Sequence, residues 1–75
     1  MKNNGIKVGV TYHNSGKGKT LRKVLAIGDG ERPSCYYSMA DAPDEPGVLY
    51  ECPNGITGQL YLSSFASWAG GVVPL

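Results

Sequence analysis

Not one aspartate or glutamate occurs before residue 29, although Lys2, Lys7, Lys17, Lys19, Arg22 and Lys23 all lie in that stretch. Beyond it the basic residues run out instead: Asp29, Glu31, Asp41, Asp44, Glu45 and Glu51 share the remainder with Arg32 alone. The formal net charge of +1 thus conceals a basic half followed by an acidic half, an asymmetry that suggests an interaction surface. Other scarcities narrow the function. With one histidine and two cysteines, a metal centre would have to be built from His13, Cys35 and Cys52, which stand at no chelating spacing and lack a fourth ligand. The cysteines are too few and too far apart for a disulfide framework, so two free thiols are expected. No apolar run approaches the ~20 residues that span a bilayer. Residues 1–5 lack the apolar core of a signal peptide, so a cytosolic protein without membrane contact is expected.

Catalytic constellations are equally thin. Ser63 and Ser64 have only the remote His13 as a base, and no acid is suggested to orient it. Asp44 and Glu45 are adjacent carboxylates in a proline-bearing loop, which reads as a solvated turn rather than an acid–base pair. The expectation is a protein without enzymatic activity, cofactor or metal.

What is present points to a small β protein. Seventy-five residues make a single domain over 1–75, which buries only about 60% of the surface its unfolded chain exposes. Its hydrophobic share of 41% against 17% charged is too apolar for a disordered tail. Eleven glycines and five prolines fall between apolar runs and read as turns. Ile6, Val8, Val10 and Tyr12 alternate with Lys7, Gly9, Thr11 and His13, the period of a half-buried strand. Residues 20–27 form a second strand of imperfect alternation, covered on both faces at its end or carrying a bulge. These two pair as a hairpin through the glycine- and lysine-rich loop 14–19. Residues 48–52 and 58–62 are a third and a fourth strand, joined by Pro53-Asn54-Gly55, since Asn-Gly tolerates the positive φ of a tight turn. Within 28–47, Cys35-Tyr36-Tyr37-Ser38 suits a short strand, and residues 39–47 read as an exposed acidic loop. Ser63 or Ser64 is expected to cap a short helix through Trp68, with Phe65, Trp68 and Ala69 on one side and Gly70-Gly71 ending it. Residues 72–75 add an edge strand or fray. The sum is a mainly β fold: a small SH3-like barrel, or a bent antiparallel sheet of four or five strands, with one short C-terminal helical turn and with Phe65 and Trp68 plugging its open end.

Gly18-Lys19-Thr20 matches the end of a phosphate-binding loop, but the glycine required five residues earlier is His13, and the segment after it reads as a strand rather than a helix. The same cations keep a plainer role. Lys17, Lys19, Arg22 and Lys23 cluster at a hairpin, where they suit nucleic-acid phosphates, and exposed tyrosines stack on unpaired bases. The near-zero net charge argues against a dedicated nucleic-acid domain. Tyr36, Tyr37, Asp41, Asp44 and Glu45 form the competing set, an aromatic and acidic loop suited to a protein partner.

Three segments carry a resemblance: residues 20–28 (TLRKVLAIG), 48–51 (VLYE) and 62–69 (LSSFASWA) are similar to small proteins encoded by phages and prophages, in which a tyrosine-rich hairpin and a closing Ser-x-x-Phe-Ala-x-Trp-Ala-like segment recur. The resemblance implies a small barrel and a mobile-element origin, and brings no activity with it. The leading expectation is therefore a noncatalytic accessory protein that binds a host or phage protein, as a monomer or weak homodimer. Nucleic-acid binding through Lys17, Lys19, Arg22 and Lys23 is the alternative, and oligomerisation through the C-terminal tail a third.

Overall fold

The Asn54-Gly55 turn is realised as expected. Gly55 takes φ 88°, its N–H donates to the Cys52 carbonyl at 2.9 Å, and the Cys52 N–H donates to Ile56 O at 2.8 Å. The Asn54 side chain closes the turn by accepting from the Ile56 N–H at 3.1 Å. The computed structural model describes residues 1–16, 20–33 and 44–74. Five strands and one α-helix lie within them: β1 (Thr11–Asn14), β2 (Leu21–Gly28), β3 (Gly47–Glu51), β4 (Thr57–Tyr61), α1 (Leu62–Trp68) and β5 (Ala69–Val72). Single 3-10 turns occupy Asn3–Gly5 and Asp29–Glu31. The strand expected at Cys35–Ser38 lies outside the described residues, as do Lys17 and Lys19. No helix among the described residues is long and apolar enough to cross a membrane.

The strands form one antiparallel sheet in the order β4-β3-β2-β1-β5. This is the bent-sheet form of the fold expected from the sequence. The chain passes from one edge of that sheet to the other through α1 alone. Seven helical residues rise only about 10 Å, whereas the outer strands of a flat five-stranded sheet lie about 19 Å apart. The sheet is therefore strongly curled. Two register shifts supply local bends, one between Val24 and Ala26 against β3, the other between His13 and Asn14 against β5. The first is the bulge anticipated from the broken alternation of β2, and its extra residue, Leu25, is turned to solvent.

The curl encloses Ile6, Tyr12, Val24, Val48, Phe65, Ala66 and Ala69. Phe65 is the hub. Its ring meets Tyr12 edge-on at 5.7 Å, Tyr50 at 5.8 Å and Trp68 at 5.2 Å, so one side chain of α1 joins β1, β3 and its own helix. Trp68 is only half-buried and covers the cluster at its rim.

Four expectations are corrected. The first strand begins at Thr11 rather than Ile6, and Val8, expected inside, is 57% exposed. The cause is the Tyr12 hydroxyl, which accepts from the Lys7 N–H at 2.7 Å and donates to Gly5 O at 2.8 Å, curling residues 5–12 around itself. Gly9, at φ 86°, makes the bend. Next, neither Ser63 nor Ser64 caps α1: the cap position is Tyr61, without a side-chain bond, and both serines lie within the helix. Nor do Gly70 and Gly71 end the helix as a loop. The helix stops at Trp68 and both glycines belong to β5, where a Cβ on Gly70 would meet the Ser15 backbone and one on Gly71 the His13 ring. The last strand consequently starts at Ala69, three residues earlier than expected.

Phe65→Ala removes the hub of the aromatic cluster and is expected to destabilise by about 3–5 kcal/mol. A chain of this length has only about 4–11 kcal/mol in all. Urea unfolding followed by Trp68 fluorescence should show the midpoint falling by about half, in proportion to the stability lost.

Candidate functional site

Arg22 follows Val24 by strand alternation and lies opposite Tyr12, so its side chain starts on the inner face of the curled sheet. Its guanidinium is held between two rings, 4.5 Å from the Tyr50 centroid and 4.4 Å from that of Trp68. A planar, weakly hydrated cation suits this sandwich, and its stem covers apolar surface on the way out. The Nε atom is buried without a hydrogen-bond partner. Arg22 thus closes the end of the aromatic cluster, whatever its outer nitrogens meet.

Lys23 points the other way and is exposed. Its register partners are Thr11 on β1 and Glu51 on β3, and Glu51 in turn faces Thr57 on β4. This row crosses the outer face of the sheet and alternates hydroxyl, cation, carboxylate and hydroxyl. Beside it lies an open depression of about 270 Å³ lined by Thr11, Leu21, Lys23, Glu51, Cys52 and Pro53, among others. Such a volume is below the usual range of small-molecule clefts, and its walls carry both signs of charge. Thr11, Leu21 and Glu51 were not singled out in the sequence. Only the β1–β2–β3 register, with its bulge, shows that they surround Lys23.

The remaining sequence candidates separate. Tyr36, Tyr37 and Asp41 lie outside the described residues. Asp44 is exposed, whereas Glu45 is half-buried and structural. One Glu45 oxygen accepts both the Ser63 N–H at 2.8 Å and the Ser63 hydroxyl at 2.6 Å. The backbone reinforces this contact, because Leu62 N–H donates to Pro46 O at 3.0 Å and Arg32 Nε to Glu45 O at 3.1 Å. A carboxylate at a helix N-terminus satisfies an otherwise orphaned N–H and faces the positive end of the helix dipole. Local capping patterns could not reveal it, since Glu45 stands 18 residues before Ser63. In the basic loop, Asn14 closes the base by accepting from Thr20 N–H at 3.0 Å and donating its own N–H to Thr20 O at 3.1 Å. The loop leads into strand β2, so it does not open a helix as a phosphate-binding loop does. His13 is half-buried with Nδ1 3.0 Å from the Asn14 carbonyl, and Cys52 is a half-buried free thiol. No group of three metal-ligating side chains stands among the described residues.

Glu45→Gln weakens the anchor of α1 and is expected to lower stability by roughly 0.5–2 kcal/mol, whereas Asp44→Asn at the exposed neighbour changes it by less than about 0.5 kcal/mol. Paired thermal melts measure the difference. Arg22→Lys loses the planar stack and is expected to destabilise by about 1 kcal/mol, accompanied by a change in Trp68 emission.

Comparison with protein-family models, with curated proteins and with solved structures finds no match to this chain.

Proposed function

We propose that this chain is a noncatalytic protein-interaction module that binds its partner over the mixed-charge depression on the outer face of β1, β2 and β3. The observation that carries the reading is how the aromatic side chains are used. Tyr12 is buried, Tyr50 and Trp68 enclose Arg22, and Tyr61 lies 6.0 Å from the Arg32 guanidinium. Every described tyrosine is thus engaged within the fold, whereas single-stranded nucleic acids need free rings on which bases stack. Of the four basic residues in the alternative set, Arg22 is also engaged internally and Lys23 is paired in register with Glu51, which opposes a phosphate backbone and suits a polypeptide carrying both charges. Leu21 adds an apolar contact at the depression. Asp44, exposed at the end of the acidic loop, supplies a further rim charge. The resemblance of segments 20–28, 48–51 and 62–69 to phage-encoded proteins supports an accessory role toward a host or phage protein.

Peptides selected by display on the immobilised protein, then titrated into the ¹⁵N-labelled chain, test the proposal. The amides of Thr11, Lys23, Glu51 and Gly55 are expected to shift. Lys23→Glu and Glu51→Lys are each expected to weaken binding about tenfold, or ~1.4 kcal/mol. Shifts confined to other surfaces would overturn the assignment. So would tight binding of labelled single-stranded DNA or RNA whose affinity falls by orders of magnitude between about 50 and 200 mM salt.

A further inference from the structure

We infer that Arg22, set between Tyr50 and Trp68, is a binding site for a carboxylate group, which it takes end-on through its two terminal nitrogens. Among the described residues its guanidinium makes no hydrogen bond and no ion pair; its neighbours are the two rings, 4.5 and 4.4 Å away. Arg32, by contrast, donates its Nε to the Glu45 carbonyl. The acid that β3 brings alongside this part of β2 is Glu51, and it stands in register with Lys23 on the other face. Arg22 is therefore a cation without a counter-charge among the described residues. A buried orphan donor such as its Nε is rare in native structures and calls for a cause beyond packing.

The walls of the site are fixed. Tyr50 lies over Gly58, its register partner on β4, where a Cβ would meet the phenol hydroxyl and the ring. Trp68 is held by its carbonyl, which accepts from the Ser15 N–H at 2.9 Å, and by its contact with the Phe65 ring. The rings occupy the faces of the guanidinium, and Nε is sealed beneath them. The edge that carries Nη1 and Nη2 is what remains for a ligand. Arg22, Tyr50 and Trp68 are each half-buried, which keeps that edge within reach of solvent.

The chemistry of this edge selects the ligand. Two parallel N–H donors match the two oxygens of a carboxylate. One cation balances one negative charge, and Lys23 points away, so a phosphate dianion finds no second cation among the described residues. The covered faces leave no plane on which a base could stack. Rings on both sides also lower the local dielectric, which strengthens a charged hydrogen bond at their rim. A peptide C-terminus and an Asp or Glu side chain share this chemistry. Arg22 also borders the depression over β1–β3, yet small carboxylates probe the site without the partner proposed there.

Titration of the ¹⁵N-labelled chain at constant ionic strength tests the inference, read by the Arg22 Nε–H resonance and by emission of Trp68, the one tryptophan of the chain. N-acetylleucine presents a terminal carboxylate, N-acetylaspartic acid α-amide a side-chain carboxylate, and N-acetylleucinamide neither. At least one of the two acids is expected to give saturable shifts with a Kd of about 1–10 mM, and the tighter of them identifies the source. The neutral amide should leave both signals still. Arg22→Lys is expected to weaken binding about tenfold or more. Lys7→Gln, which removes the same charge from an exposed side chain, should bind as the parent does. Equal shifts from the amide, or no response from either acid up to about 100 mM, overturn the inference. So does unchanged binding by a folded Arg22→Lys chain; if that variant does not fold, acid against amide on the parent chain decides. Inorganic phosphate that binds about tenfold tighter than either acid overturns the assignment to a carboxylate.

Discussion

The curled sheet depends on a length constraint: seven residues of α1 connect strands at opposite edges. A helix this short has little stability of its own, and the fold supplies support at both ends. Glu45 holds the N-terminal turn through Ser63, and the Met1 amino group donates to the carbonyls of Ala66 and Ala69 at 2.8 and 3.1 Å at the other end. Between these ties Phe65 drops into the space enclosed by the curl and meets rings from β1 and β3. Helix position, sheet curvature and aromatic packing are therefore one coupled arrangement, in which loosening any part exposes the other two.

The same curvature explains the fate of Arg22. A sheet of five short strands cannot close both ends with aliphatic side chains, and the inner face near Tyr50 and Trp68 opens toward solvent. A long side chain with an apolar stem and a flat cationic head seals that end while keeping part of itself hydrated. Consequently the basic cluster read along the chain is divided in space. Arg22 belongs to the interior, and Lys23, its neighbour, belongs to a surface row with Glu51. The sorting of charge along the chain is undone at this point of the sheet, because β2 comes from the basic half and β3 from the acidic half.

The outer face of the sheet and its β5 edge differ in physical character. The outer face of β1–β3 combines hydroxyl, cation, carboxylate and an apolar residue around a shallow depression. Side chains of both charges dominate it. The β5 edge is uncharged in its side chains, slips its register against β1 at Gly70, and receives the Met1 amino group at Ala69 O.

Much of the architecture was legible along the chain. Alternation at Tyr12, Val24, Val48 and Leu60, the Asn54-Gly55 turn, the broken rhythm of β2 and the spacing of Phe65 and Ala69 are all local signals, and local backbone physics is enough to read them. Together they specify a mainly β domain of short antiparallel strands with one aromatic-bearing helix. Where the irregular joints fell, and which side chains kept their freedom, was settled by packing. The Tyr12 hydroxyl delayed the start of β1 by gathering Gly5 and Lys7, Gly70 and Gly71 entered β5 because β1 lies too close for a Cβ, and Glu45 became the anchor of a helix 18 residues away. Register alone joined Thr11, Lys23 and Glu51 into a surface and turned the Arg22 guanidinium onto the Tyr50 and Trp68 rings. Such outcomes depend on which strands become neighbours, and no local propensity encodes a contact between residues that only the closed sheet brings together.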